Sequence, residues 1–201
     1  MRIFLTLWFA FIGVGALAQS GDSLRHSMQV WLGTSYHNTD LVWGGIMGAE
    51  YSCYFNRRFS YSVFVAATVH DGIDSVNQWY QDEVIKGAVN FTTAAFQVGG
   101  LAGYSFIRSA RHHFQISLGP LVRYQTTSNP DILGLETTFP YNNTFKQNDY
   151  PAHSLSIGGV GGFSYEYTFK NNVLLGVKAM LQYDSNDDGL HDIFFFIGKR
   201  F

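Results

Sequence analysis

The chain has 201 residues, with 13 Lys and Arg against 15 Asp and Glu and a formal net charge of −2, and it carries neither phosphate-binding glycine motifs nor nucleic-acid signatures. Charged residues make up 14% against a usual ~25%, while aromatics reach 17% and there are 21 Gly, a balance foreign to most soluble secreted domains. Beyond the first 18 residues no apolar run approaches the ~20 residues of a membrane-spanning helix, which excludes a helical membrane protein, and one cysteine, Cys53, cannot staple a fold.

Residues 1–18 read as a cleavable signal peptide. Arg2 precedes an apolar run from Ile3 to Leu17, and Ala16-Leu17-Ala18 supplies small residues before Gln19. Residues 19–201 then form one domain. No cysteine follows the cleavage site, so lipoprotein acylation lacks its acceptor.

Strands are predicted from alternation. The first runs from about Met28 to Tyr36 and the second from Ile46 to Phe55, with Asn56-Arg57-Arg58 as a tight turn. From Phe59 to His70 the alternation is clearest: Phe59, Tyr61, Val63, Val65, Ala67 and Val69 share one face. A long polar segment, Asp71 to Thr93, leads to a fourth strand over Ala94 to Ile107, and Arg108 to Arg111 turns the chain into a fifth, His113 to Gln125. Pro120 removes a ladder donor from that strand, and a local bulge is predicted there. The longest irregular segment, Thr126 to Pro151, precedes a sixth strand over Ser154 to Phe169. Lys170-Asn171-Asn172 turns into a seventh, with Val173, Leu175, Val177, Ala179, Leu181 and Tyr183 opposite Gly176, Lys178, Gln182 and Asp184.

The last strand, Ile193 to Phe201, ends on an aromatic residue. With eight strands and this terminus, the chain resembles the small outer-membrane β-barrel proteins of Gram-negative bacteria, the OmpA/OmpX-like families. The resemblance implies an eight-stranded antiparallel up-and-down transmembrane β-barrel. It also implies a periplasmic position for both termini, extracellular loops, contact with outer-membrane lipids, and recognition of the strand ending in Phe201 by the outer-membrane assembly machinery.

Connections alternate between long and short, as in a barrel inserted from one side. Charge segregates with them. Twelve of the 15 acids (Asp40, Asp71, Asp74, Asp82, Glu83, Asp131, Glu136, Asp149, Asp184, Asp187, Asp188 and Asp192) fall in or beside the long loops. Eight of the 13 basic residues (Arg25, Arg57, Arg58, Arg108, Arg111, Lys170, Lys199 and Arg200) fall at the opposite end.

One face of each strand carries Phe, Tyr, Val, Ile and Leu, and the other mainly Ser, Gly, Thr and Gln, which cannot build a hydrophobic core. The apolar face is therefore expected outside, against lipid, with small and polar side chains packed in a lumen too narrow for a pore. Tyr36, Phe55, Phe59, Tyr104, Phe106, Tyr124, Tyr167 and Tyr183 fit aromatic girdles. Interior charges need partners. Glu50 and Lys178 lie at similar depth and are expected to pair within an interior polar network that includes Glu166 lower down and Arg123 higher up. In the last strand Ile193, Phe195, Ile197 and Phe201 are expected to face lipid and Asp192, Gly198 and Arg200 the lumen, with Lys199 at the periplasmic interface. Phe194 and Phe196 fall inside on this register, either filling the lumen or marking the register as wrong.

Three candidate sites follow from residue types. Asp184, Asn186, Asp188 and Asp192 match the front of a calcium loop, D-x-N-x-D-G with an acid at the ninth position, although Phe195 stands where the terminal acidic ligand belongs. A plain acidic turn is the competing reading, so no cofactor is expected beyond a possible calcium ion. His37, His70, His153 and His191 lie near the outer rim, where they could bind a transition metal or serve only as tolerated polar residues. His153 with Ser154 or Ser156 is the nearest approach to a lipid-modifying hydrolase, but alternation puts the histidine and the serines on opposite faces. The function expected is structural or surface-interaction, with loops at Asp71 to Thr93 and Thr126 to Pro151 offering Trp79, Tyr80, Phe139, Tyr141 and Tyr150 to an extracellular ligand. The alternatives are a lipid A deacylase-like hydrolase and a soluble lipocalin-like carrier.

Overall fold

The computed structural model describes residues 26–80, 83–109, 111–128, 132–138, 142–147 and 151–201. The signal peptide and the residues Phe139, Tyr141 and Tyr150 lie outside these. Ten strands are present: β1 His26–His37, β2 Val42–Tyr54, β3 Phe59–Tyr80, β4 Glu83–Arg108, β5 His112–Thr127, β6 Ile132–Thr138, β7 Asn142–Gln147, β8 Ala152–Thr168, β9 Val173–Asp184 and β10 Gly189–Arg200. Eight close into an antiparallel barrel, β1-β2-β3-β4-β5-β8-β9-β10, and β10 returns to β1 from Ser27↔Arg200 to His37↔Leu190. Closure leaves the barrel without an unpaired sheet edge.

Two connections and one strand position differ from expectation. Asp71 to Thr93 is not a loop: β3 and β4 stay paired from Asp71↔Thr92 out to Tyr80↔Glu83, so the hairpin continues well past the alternating stretch that ends at His70. Within Thr126 to Pro151, β6 and β7 form a separate two-stranded ribbon. No bulge forms at Pro120. Its partners on β8 run on in register, Gly119↔Val160, Pro120↔Gly159 and Leu121↔Gly158, and the β4 ladder lapses at Gly100 and Leu101 without shifting. The proline ring points outward between Gly100 and Gly159, which have no side chains to meet it. The bulge is instead at Phe106, between Ser105 and Ile107, where two successive side chains face outward.

Strand parity sorts the side chains. Val30, Leu32, Val63, Phe96, Leu118, Ile157, Leu181, Phe195 and Ile197 all lie on the exposed outer face. The inner face is not uniformly polar, contrary to the sequence reading. Trp31, Ile46, Phe64, Ala66, Leu101, Leu121, Val160, Met180, Phe194 and Phe196 form a buried apolar cluster to which every barrel strand contributes. The two phenylalanines left open by the register argument are its centre, with Phe194 wholly buried and stacked on Trp31 at 5.0 Å. Glycine makes room for them. A Cβ on Gly33 would lie 2.3 Å from that of Phe194, and one on Gly176 would lie 2.3 Å from the Phe196 ring.

Candidate functional site: a plugged lumen between two charged ends

The apolar cluster closes the waist of the barrel and leaves polar groups in layers along it. At mid-depth Lys178 Nζ on β9 is 2.6 Å from Glu50 Oε2 on β2, a contact across the lumen. Ser52 Oγ donates to Glu50 Oε1 at 3.1 Å and bonds Ser62 at 2.8 Å. Lys178 also lies 6.0 Å from the centre of the Trp31 ring, so the pair is seated against the plug.

Toward the short turns, Arg200 on β10 pairs with Glu166 on β8, and Thr168 Oγ1 donates to the same Glu166 oxygen at 3.4 Å. His113 Nδ1 is 3.6 Å from Glu166 Oε1, and its Nε2 is 2.6 Å from Ser105 Oγ. This Ser105–His113–Glu166 order is that of a nucleophile, a base and an orienting acid. Its surroundings oppose the chemistry. Arg200 Nη2 lies 3.4 Å from the His113 Nδ1 that would have to donate to the acid, and all three side chains are buried. Tyr54 carries the Arg108 guanidinium at 4.5 Å and that of Arg200 at 5.5 Å, so cations pack over its ring at this end.

Toward the long hairpins, Arg123 Nη1 lies 3.5 Å from Asp184 and 3.8 Å from Asp188. Ser156 donates to Asp184 Oδ2 at 2.7 Å, and Gln182 donates to Asp192. His37 bridges Asp40 at 3.3 Å and Asp188 at 3.7 Å, with the His70 ring 5.4 Å away. In the turn, burial pushes the Asp188 carboxyl up, but His37 and Arg123 more than reverse this and hold it below its ordinary value of 3.8.

Of the residues expected to share one interior network, the structure brings Glu50 and Lys178 together and places Glu166 and Arg123 in separate clusters at opposite ends. The proposed calcium ligands do not converge. Asp184 Oδ1 accepts the backbone N–H groups of Asn186 and Asp188 at 2.9 and 3.4 Å, its other oxygen faces Arg123, Asp192 is held by Gln182, and Asn186 is exposed. No group of three or more His, Cys, Asp or Glu among the described residues is placed to hold a metal. The four rim histidines divide: His37 and His70 face the lumen, whereas His153 lies outside on the Tyr124 ring and His191 packs edge-on against Tyr36. Ser156 is inside, so no Ser–His pair forms with His153. Sequence reasoning missed Ser105 and His113 because nothing local marks them, and it named His37 only as a rim histidine, not as the partner of Asp188; inward parity, extended to every polar residue, would have found all three.

Outside, aromatic side chains cluster around the short-turn end: Phe55 on Tyr61, Phe59 on Tyr104, and Phe106, Phe114, Phe163 and Tyr165 in a continuous group. At the other end Tyr36 meets Trp43.

No family model and no curated protein matches the sequence. Solved structures do. Neisserial surface protein A aligns with a TM-score of 0.55 at 10% identity over 91% of this chain and 100% of its own. Ail, the attachment invasion locus protein of Yersinia pestis, gives 0.53 at 10% over 90% and 100%, and OprG of Pseudomonas aeruginosa gives 0.52 at 11% over 87% and 96%. The chain therefore has the fold of the small eight-stranded outer-membrane barrels.

Proposed function

We propose that the chain is an integral outer-membrane protein with a structural or surface-interaction role and no through-pore. One observation carries this: large apolar side chains face outward around the barrel, with Leu118 and Phe195 68% and 71% exposed, while the acidic and basic side chains of Glu50, Lys178, Glu166 and Arg123 are buried inside. A soluble carrier would reverse that order, since monomers in water rarely expose more than a few hundred Å² of contiguous apolar surface. A bilayer covers such a band, and the ten-residue plug drawn from all eight barrel strands leaves no aqueous channel.

In this reading the short turns at 55–58, 109–111 and 169–172 lie in the periplasm, as do both termini, and the long hairpins reach outside. The strand ending in Phe201 is the element offered to the assembly machinery. Ail was solved with the heparin analogue sucrose octasulfate. The outer segments here carry Asp71, Asp74, Asp82, Glu83, Asp131 and Glu136, so a cationic or apolar surface partner suits them better than a polyanion. The Asp184 to Asp192 segment is assigned to anchoring the last turn on Arg123 and His37, with no calcium, and the buried Ser105 to holding His113, with no catalysis.

Heat-modifiable migration in detergent and retention in urea-washed outer membranes are the expected results. Recovery of unmodified protein in the aqueous periplasmic fraction would overturn the proposal. For the surface role, a partner captured from outside by the intact barrel should be lost when the β6–β7 ribbon or the β3–β4 extension is deleted.

A further inference from the structure

The end with short turns carries exposed cations and little else that is charged. Arg57 and Arg58 are exposed in the β2–β3 turn, Arg111 in the β4–β5 turn, Lys170 in the β8–β9 turn and Lys199 near the end of β10, so all three turns and the closing strand contribute. The carboxylates nearest this end, Glu50 and Glu166, point into the lumen and are taken by Lys178 and Arg200. No exposed Asp or Glu at this end, among the described residues, balances the five, and none of them is ion-paired within the chain.

Their depth matters as much as their sign. Just inside the cations runs the belt of Phe55, Tyr61, Phe59, Tyr104, Phe106 and Tyr165, the residue types that settle where acyl chains meet headgroups. The cations thus stand at headgroup level, within reach of lipid phosphates, rather than projecting into the aqueous phase as a docking site for a soluble acidic protein would. Arg58 is fixed there by the turn itself: Asn56 Oδ1 accepts the N–H groups of Arg58 and Phe59 at 2.7 and 2.9 Å, and the Arg58 carbonyl accepts from the Ser105 N–H at 2.6 Å.

We infer that this rim is a binding surface for anionic phospholipid headgroups of the leaflet it meets, selecting them over zwitterionic ones. The assignment rests on the membrane reading above. Each Lys or Arg at an anionic surface raises association about fivefold at low salt, and the effect fades beyond a Debye length.

The test uses the full barrel reconstituted in phosphatidylcholine bilayers with spin-labelled phosphatidylglycerol or spin-labelled phosphatidylcholine, comparing the motionally restricted fractions. Phosphatidylglycerol should associate at least fivefold more strongly at low salt, and the preference should collapse at high salt. The variant R57Q/R58Q/R111Q/K170Q, which leaves only Lys199 of the five, should lower the ratio severalfold, whereas R57K/R58K/R111K, which keeps the charge, and D71N at the opposite end should retain it. Heat-modifiable migration checks that each variant is folded, and if the quadruple variant fails this check the pairs R57Q/R58Q and R111Q/K170Q are compared instead, each expected to lower the ratio severalfold. Equal association of both lipids with the wild-type barrel overturns the inference, as does a preference unchanged by the Gln variants. Binding of soluble polyglutamate without any lipid preference overturns it in favour of an acidic protein partner. A barrel that inserts into neither bilayer contradicts the membrane reading, and the inference with it.

Discussion

Replacing Lys178 by Met should be among the most damaging single changes to the barrel, and adding Glu50→Gln should restore much of what is lost. With Nζ 2.6 Å from Oε2, the attraction is about 6 kcal/mol at an effective dielectric near 20. Desolvation offsets most of it, because bringing each ion out of water costs several kcal/mol. The intact pair is therefore worth little against an apolar replacement of the same volume. Removing one partner is another matter: Lys178→Met leaves the Glu50 carboxylate buried with only the hydroxyls around it, Ser52 donating at 3.1 Å, and the expected loss is about 3–5 kcal/mol. The double variant removes the orphaned charge and should recover to within about 1–2 kcal/mol of wild type. Urea unfolding of the barrel in lipid vesicles measures both, and Trp31, 6.0 Å from Lys178 Nζ, supplies a fluorescence signal at the site. A loss below 1 kcal/mol for Lys178→Met, or a double variant no better than the single, would refute the argument that an uncompensated charge is what the pair prevents.

Other residues give separate tests. Phe194→Ala empties part of the waist and should cost about 3–5 kcal/mol, whereas Phe195→Ala, one residue on but facing lipid, should cost markedly less in the same unfolding assay. Because the Asp188 carboxyl is held below its ordinary 3.8, the folded state is favoured by its ionisation above that pH and loses this contribution as pH falls through the lowered value. The acid limb of an unfolding series should consequently flatten in Asp188→Asn. Ser105 should stay unlabelled by a fluorophosphonate probe in the folded barrel, since Arg200 stands beside His113 Nδ1; labelling abolished by Ser105→Ala would establish the nucleophile that the surroundings argue against.

Much of the barrel was legible from parity alone. Where one face meets lipid and the other a packed lumen, alternation is strong, as from Phe59 to His70, and the depth count that placed Glu50 opposite Lys178 needed only the turn positions. Where both faces leave the bilayer the contrast vanishes, so the paired backbone from Asp71 to Thr93 and the β6–β7 ribbon carry no period to read. The apolar plug was hidden for a different reason. Trp31, Ile46, Leu101 and Met180 are each isolated among glycine or polar inward neighbours on their own strands, and only closure brings them to one level with Phe64, Phe194 and Phe196. Pro120 misled because the rule about lost ladder donors ignores what lies alongside: with Gly100 and Gly159 flanking the ring, the strand passes without an inserted residue. Asp184, Asn186 and Asp188 matched a metal motif in spacing, yet the β9–β10 turn spends the same oxygens on backbone N–H groups and on Arg123.

On β9 the face carrying Leu175, Val177, Ala179 and Leu181 should meet lipid, while that carrying Gly176, Lys178, Met180 and Gln182 should not. Spin labels placed one at a time along β9, in a Cys53→Ser background reconstituted in bilayers, test it through their accessibility to oxygen and to a water-soluble nickel chelate. High oxygen accessibility at every second position, Leu175, Val177, Ala179 and Leu181, with little nickel contact there, is the predicted result. Outward positions that instead meet the nickel chelate along the whole strand would contradict a membrane-embedded barrel.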